Sequence, residues 1–568
     1  MNHKSSLPVK LRLATAISML AAVSALWAAG ADPVYDAMRA ELARSMTLQL
    51  KQLEKPYFIS YSVDDGKTWS ATAAHGGLLS AHAGKFRSPA VQVRVGDYSF
   101  DNTNGGGRGR GGASYDLSGF PLDDDPLVIR QYLWLETDSA YKGAVQAIAQ
   151  KRASQGSVNV ADQLPDFAAA KAFKLNEDRP PLVFDDKTWN DRVKRISALL
   201  DQYTNLRDSV VTYSAADGIH RYINSEGTEV RLVQSEGTVQ IAASVQSPDG
   251  MIVRDSAPFY RADATKMPSE EELTKAARNV AEQLTKLAAA PMGEAYSGPI
   301  LFEGVASAQL MAELLGRNLH MTRPATGRGG AGGRGGRGGP GGRGSAATEL
   351  EGRRGSRIMP DMFNVVDDPT LPMYGHTEVD NEGVPSKPVS LIERGVLKDF
   401  LRTRLPMQGF TESNGRALLG NSPAPTNLII STTEKSPLAE LRKHMIDLCR
   451  QRSLPYGVIV RKLDFPPVNG GGQGGLAAPL YVYRLYVDGH EEMIRGVRLR
   501  NVDARSLKDI LLAGDDTATL DYDEGGSADV SVVAPSVLMD DLELEKVGDT
   551  LPKLPIAPSP LIAQAGQK

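Results

Sequence analysis

"SEEELTKAARNVAEQLTKLAAAPMGEAYSGPILFEGVASAQLMAELLGRNLH", residues 269–320, passes from helix to linker to strand to helix and sets how the rest of the chain divides. Its first part is the clearest helix in the sequence. Ser269 and Glu272 have the spacing of a capping box, glutamates fill the first turn, and Leu273, Ala277, Val280, Leu284 and Leu287 form one apolar stripe. "PMGEAYSG" (291–298) reads as a linker, which places a domain boundary between residues 293 and 294. "YSGPILFE" (296–303) is a short apolar strand. Residues 304–320 then bring Ala308, Met311, Leu314 and Leu315 round at helical intervals.

Toward the N-terminus, a helical pattern (34–50) runs into "PYFISYSVDD" and "AVQVRVGDYSF", which cluster β-formers, then into helices near residues 140–153 and 191–203. Three antiparallel strands are expected from "SVVTYSAADGIHRYINSEGTEVRLV", "TVQIAASVQS" and "MIVRDSAPFY". Toward the C-terminus strands dominate. "VSLIERGVLKDFL" (389–401) is a hairpin turning at Arg394-Gly395, "TNLIIST" is a strand, and three further runs form a meander up to Val502. "SLKDILLAGDD" reads as a helix that stops at the aspartates. Strands and helices segregate rather than alternate, so the expected class is α+β: two domains, 32–293 and 294–550, each an antiparallel sheet with helices on one side, the second strand-rich.

The first 31 residues stand apart. Lys4, Lys10 and Arg12 precede an apolar run from Leu13 to Ala29, and Ala29-Gly30-Ala31 has the small-x-small pattern of a signal-peptidase site. A cleaved signal ending at Ala31 gives a periplasmic or secreted chain with no membrane span left. An uncleaved anchor is the competing reading, because the run approaches the ~18 residues that span a bilayer.

More than 500 residues remain, too many for one core at roughly 100–200 residues per domain. The chain is 41% hydrophobic and 23% charged with net charge −4, which exerts no general pull on nucleic acid or acidic membranes. The only cysteine, Cys449, cannot form an internal disulfide, and shares a helix face with Leu441, Met445 and Leu448. From Gly327 to Gly344 there are twelve glycines and four arginines, so residues 325–346 are expected to be a disordered insertion. Without interleaved aromatics, an insertion loop fits this segment better than an RNA-binding arm. A Pro-rich tail (551–568) closes the chain.

Several stretches together resemble the TldD/PmbA family of metallopeptidases and partner subunits, also known as the modulator-of-gyrase family. They are "RYINSEGTEVR" (221–231), "VVDDPTLP" (365–372), "EVDNEGVPSKPVSLIERGVLKDFL" (378–401), "NGRA" (414–417), "PTNLIIS" (425–431) and "GVRLRNVDARSLKDILLAGDD" (496–516). The resemblance implies a two-subunit assembly that trims peptides or unfolded segments. One subunit carries a zinc-binding His-Glu-x-x-x-His helix and the other lacks it. In such a motif two histidines hold the ion and the glutamate is the base toward bound water. A five-residue separation of the ligands exceeds one ordinary helical turn, so the helix must be distorted or the ion must sit over its edge.

Aligned residue by residue, the family's glutamate falls on Glu313 and its histidines on Ala312 and Arg317. Alanine has no donor atom and a guanidinium repels a cation, so zinc cannot bind here in the family's way. The resemblance therefore implies a zinc-free partner subunit, with Glu313 at the general-base position and Ala312, Arg317, His320 and His376 lining the former cleft. It would bind extended peptides as a homodimer, or as a heterodimer with a zinc-bearing TldD-type subunit, and would not bind nucleic acid. No cofactor is expected, zinc being the family's. Whether the chain is an enzyme stays open. A rebuilt metal site using Glu313, His320 and His376, and a non-enzymatic envelope scaffold, are the alternatives; Glu313 and Arg317 at i, i+4 also make an ordinary helical ion pair.

Other chemistry-bearing residues have plainer readings. His490-Glu491-Glu492 follows Asp488-Gly489 and reads as a hairpin tip. His75 and His82 lie in a Gly/Ala-rich stretch read as a loop. Asp367-Asp368 and Asp515-Asp516 read as turn and cap carboxylates. Ser225 has no paired histidine, the aspartates at 123–125 and 185–186 lack a calcium-loop pattern, and no nucleotide-binding glycine motif occurs.

Overall fold

The structure, a computed structural model, describes residues 32–49, 53–104, 119–155, 164–321, 323, 348–420, 422–465, 476–525 and 528–547. The expected signal segment, the Gly/Arg insertion and the Pro-rich tail lie outside the described residues. Among the described residues no helix is long and apolar enough to cross a membrane.

The first half is built on one large sheet. After α1 (Pro33–Ser45) come β1 (Pro56–Ala74) and β2 (Gly77–Val95), then α2 (Pro126–Gln155), β3 (Lys174–Asn176) and α3 (Asp186–Leu200). β4 (Leu206–Asn224), β5 (Glu229–Gln246), β6 (Ile252–Arg261) and α4 (Glu270–Ala289) complete it. The strand order is β2-β1-β4-β5-β3, with β6 also on β5. Helices cover one face of this sheet at its two ends. α1 and α2 pack on Ile59, Tyr61, Val63, Val93 and Val95. α3 and α4 pack on Ala71, Ala73, Val211, Tyr213, Val239 and Ile241. Between the helix pairs Gly66 and Gly218 face each other in register, where a Cβ on Gly66 would strike the Asp217 backbone. The capping box expected on α4 is present: Glu272 N–H donates to Ser269 Oγ at 3.2 Å, and Ser269 N–H donates to Glu272 Oε2 at 2.8 Å. All five residues of its predicted stripe are buried.

The second half holds two sheets and a buried helix. β7 (Tyr296–Phe302) leads into α5 (Val305–Met311). The short strands β8 (Phe363–Asp367), β9 (Val389–Glu393), β10 (Val396–Leu397), β11 (Ala417–Leu419), β12 (Ser422–Pro423) and β13 (Asn427–Thr432) follow. Next come α6 (Leu438–Gln451), β14 (Tyr456–Leu463), β15 (Pro479–Tyr486), β16 (Glu491–Ile494), β17 (Val497–Arg500) and β18 (Ile510–Ala513). β19 (Ala518–Glu524), β20 (Ala528–Ala534) and β21 (Val537–Lys546) end the described chain. One sheet runs β10-β9-β8-β13-β20-β19; the other runs β16-β15-β14-β7-β21-β17, with β18 on β21. Among the described residues β11 and β12 pair only with each other. The α+β class holds, and each of these two sheets contains one parallel pair, β13 with β20 and β7 with β14. α6 covers the outer face of the second sheet, where Leu441, Met445 and Cys449 meet Leu301, Ile459 and Leu538.

Three local expectations need correction. His82 lies inside β2, paired with Ser70, not in a loop: small residues suit an edge strand whose only partner is β1. His75 and Gly76 alone form the turn, both at positive φ. "SLKDILLAGDD" holds a short 3₁₀ turn (Ala504–Asp509) and then β18, because "ILLA" is drawn into the ladder beside β21. The helix expected over 304–320 keeps α geometry only to Met311. The 389–401 hairpin does turn at Arg394 (φ 47°) and Gly395 (φ 72°).

Candidate functional site

The helix that opened the sequence question lies between the two sheets of the second half. Ala306, Ala308, Ala312 and Gly316 are small enough to let both sheets approach it. One core joins Phe302, Val458 and Val537 on one side to Val365, Ile430 and Val532 on the other. Every residue from Ala306 to Gly316 is buried, as expected of a helix enclosed on all sides. Its start is fixed by β7: Gly304 N–H donates to Ser536 Oγ at 2.9 Å and Ser307 Oγ donates to the Pro535 carbonyl at 2.6 Å. Gly304 has φ 57°, the left-handed turn that carries the strand into the helix.

From Ala312 to Gly316 the helix widens to a π turn. This is the distortion a five-residue ligand spacing demands, since i→i+5 bonding stacks position 317 over position 312. The turn presents an alanine, a glutamate and an arginine. Ala312 is 1% exposed. Glu313 is 5% exposed; its Oε2 accepts the Ala477 N–H at 3.3 Å and lies 3.5 Å from Arg317 Nη1. Its Oε1 meets no donor among the described residues. Burial pushes the Glu313 carboxyl above its usual range, against the opposing pull of Arg317 and the Ala477 N–H. The Arg317 side chain is 42% exposed.

The two histidines considered with Glu313 are placed differently. His320 is half-buried, its backbone bridged to Leu401, and its carbonyl accepts Thr348 Oγ1 at 2.9 Å. Burial holds its imidazole below the usual pKa. His376 is exposed, with Nδ1 2.9 Å from the Pro369 carbonyl. No hydrogen bond joins either to Glu313, and among the described residues no three His, Cys, Asp or Glu side chains gather as a metal-ligand group. The residues on the π turn do not fit zinc: one position lacks a donor and the other is a cation.

Residues distant in sequence frame the site. Glu303, at the end of β7, accepts both Nε and Nη2 of Arg442 (2.7 and 2.9 Å) and Nε of Arg461 (2.8 Å). Arg461 also donates to Glu491 at 2.9 Å, so the hairpin after Asp488 is tied to the strand that starts the helix. His490 beside it pairs with Asp488 Oδ1 at 2.6 Å. The two glutamates of "NSEG" and "DNEG" converge on Arg404, which is 1% exposed. Arg404 Nη2 donates to Glu226 Oε1 at 2.6 Å, its backbone N–H to Glu382 Oε2 at 2.7 Å, and its guanidinium lies 3.9 Å over Phe167. That knot joins the first sheet to the second half. The sequence held one signal for it, the arginines of "LRTRLP" (401–406) following the resemblance strand, but nothing there named their partners. Asp367 is fully buried against Arg416 (Nε to Oδ2, 2.5 Å) and Thr426 (Oγ1 to Oδ2, 2.9 Å); Asp368 is a turn carboxylate as read, whereas Asp516 accepts the Ser536 hydroxyl at 2.6 Å. Ser225 Oγ only accepts the Ile59 N–H.

Comparison with known proteins agrees with this arrangement. Residues 341–546 match the family described as the PmbA/TldA metallopeptidase C-terminal domain. A metalloprotease of Archaeoglobus fulgidus is 41% identical over 58 residues, and one of Methanothermobacter thermautotrophicus 32% identical over 77 residues. These stretches cover 10% and 13% of this chain and only 14% and 17% of the relatives' own lengths. The fold extends much further. A Thermotoga maritima chain described as a candidate modulator of DNA gyrase superposes with a TM-score of 0.56 at 17% identity, covering 86% of this chain and 96% of that one. TldE from Thermococcus kodakarensis gives 0.56 at 12% identity, covering 90% and 100%. Residues 341–546 therefore belong to the PmbA/TldA metallopeptidase C-terminal domain family, and the fold seen in these solved chains runs along most of this one.

Proposed function

We propose that this protein is an exported, zinc-free TldD/PmbA-family subunit that binds extended peptide segments and supports their proteolysis beside a zinc-bearing subunit. The observation that carries this reading is the π turn. It retains the backbone spacing of a five-residue ligand pair while placing Ala312 and Arg317 at the ligand positions. Glu313 remains buried between them with one oxygen unpartnered. Peptide capture is supported by the outer strands β19 of one sheet and β16 of the other, each of which ends its sheet among the described residues and offers main-chain groups for strand addition. Export is supported by the basic-apolar-small pattern of residues 1–31.

The test is zinc stoichiometry by elemental mass spectrometry on the mature chain purified without a metal-affinity tag. It is paired with hydrolysis of an unfolded protein by the chain alone and after mixing with a zinc-bearing TldD-type subunit. The expected result is no retained zinc, no hydrolysis alone, and faster hydrolysis in the mixture. About one tightly held zinc per chain, or hydrolysis alone that a chelator abolishes, would establish a rebuilt metal site instead. No effect on the partner subunit would leave the scaffold reading.

A further inference from the structure

A small cavity opens on the first sheet, away from the π turn. Trp69 and Ala71 of β1 stand opposite Ala83 and Ala81 of β2, and Ala71 stands opposite Tyr213 of β4. Three alanines beneath the start of α3 leave a space of about 120 Å³ that no neighbouring side chain fills. Its walls are Trp69, Trp189 and Tyr213, and its polar lining includes Asp186 and Asn190 from the first turns of α3.

The rings are held in place. Trp189 stacks on Tyr213 with centroids 3.9 Å apart and planes within 2°, and Trp69 stacks on Phe184 at 3.9 Å. Arg192 lies 4.3 Å from the Trp189 centroid, necessarily on the face that Tyr213 leaves open, and Glu270 stands 3.8 Å from it. Glu270 is shared with Arg195, which donates to both of its oxygens at 2.7 Å, and the Arg192 charge reaches the Tyr213 phenol, opposing the effect of Asp186 on it.

The polar groups are not answered. Tyr213 is 2% exposed, and its hydroxyl meets no hydrogen-bond partner among the described residues. A buried hydroxyl left alone is costly enough that native proteins rarely tolerate it without a bound group. Asp186 makes no ion pair with any described residue, yet lies near enough to Tyr213 to add to the effect of burial in raising the phenol's pKa. The Asp186 carboxylate can only accept hydrogen bonds; the Tyr213 oxygen and the Asn190 carbonyl can accept as well. A primary ammonium offers three donors and no acceptor, which matches three acceptors. A quaternary ammonium offers no donor and a neutral alcohol one.

We propose that this cavity binds the ammonium end of a primary alkylamine, with Asp186, Tyr213 and Asn190 as its acceptors and Trp69 with Ala71, Ala81 and Ala83 against its methylenes. A lysine side chain of a peptide and a free polyamine share this chemistry.

The experiment is a tryptophan-fluorescence titration, confirmed by calorimetry, of the full mature chain with n-butylammonium chloride at constant ionic strength. n-Butanol and tetramethylammonium chloride serve as controls. Saturable binding of n-butylammonium is expected, weakened about tenfold or more in Asp186→Asn and severalfold in Tyr213→Phe, with neither control binding comparably. Asp186 is exposed at a helix start, so its variant tests the site without disturbing the core, and circular-dichroism melting verifies the fold of both. Titration with Nα-acetyl-lysine methylamide and with spermidine then names the source, and binding of either supports the inference. No saturation by n-butylammonium up to about 50 mM would overturn it. So would unchanged affinity in Asp186→Asn, or tetramethylammonium binding equally well.

Discussion

Among the buried carboxylates in the second half of this molecule, Asp367 and Glu313 have surroundings that differ in kind. Asp367, at the end of β8, is fully buried, and both oxygens are engaged by the Arg416 guanidinium, the Thr426 hydroxyl and the Thr426 N–H (2.8 Å). Arg416 in turn donates to the backbone carbonyls of Asn414, Gly415 and Lys387. Glu313, on the π turn, has one donor at 3.3 Å, a half-exposed arginine at 3.5 Å and an oxygen facing no donor among the described residues. Asp367 is thus saturated with donors, whereas Glu313 is held buried on the π turn with fewer of them, at the position where the proposed function places the former general base.

The comparison can be broken most severely at Arg416. Arg416→Ala should destabilise the protein by about 3–5 kcal/mol in urea denaturation, because it strands Asp367 in the core. A loss below about 1 kcal/mol would mean that Asp367 is no better supported than Glu313. Asp529 is an intermediate case. Burial raises its carboxyl to about 7, even though Tyr374 hydrogen-bonds to it. A carboxyl whose folded pKa exceeds its unfolded value binds more protons when folded, so stability falls as pH rises from about 4 toward 7. Asp529→Asn should flatten the melting-temperature profile across that window, and an unchanged slope would remove Asp529 as its cause. Glu313 follows the same sign with a smaller reach. Glu313→Gln should leave stability unchanged at low pH and raise it slightly above the ordinary carboxylate range, where the wild-type charge must be carried in a buried place with only weak partners. A clear loss at neutral pH would show that the carboxylate is a structural group like Asp367. Arg317→Ala, breaking a long and half-exposed pair, should cost no more than about 0.5 kcal/mol. A larger loss by thermal melting would show that Arg317 supports the turn.

Much of this was legible in the sequence because the information was local. The α4 stripe, its Ser269/Glu272 box, the Arg394-Gly395 turn and the face shared by Leu441, Met445 and Cys449 each depend on residues within a few positions of one another. A distorted helix was one of the two geometries the five-residue spacing allowed, and the π turn matches it. What stayed hidden depends on strands meeting across long stretches of chain. Nothing near Ala312 told that a second sheet would close over it, so a two-sided burial read as a one-sided stripe. Glu303 finds Arg442 and Arg461, and Glu226 finds Arg404, across more than a hundred residues each. The strands β19 to β21 escaped notice because acidic residues break their apolar runs on the outward face. The aromatic cavity was invisible for a further reason: alanines in a strand look neutral until the side chains opposite them are known.

The position of β21 has a consequence for how such a chain becomes a folded protein. Although last in sequence, it lies between β7 and the β17 and β18 strands, pairing Val537–Met539 with Ile300–Phe302. Until it docks, β7 has one open edge, and the helix that carries Glu313 lacks one of its walls. Closing a loop of more than two hundred residues is slow compared with forming local contacts. The final assembly step is therefore also the step that completes the site, and a nascent or truncated chain would expose an apolar strand edge prone to wrong partners.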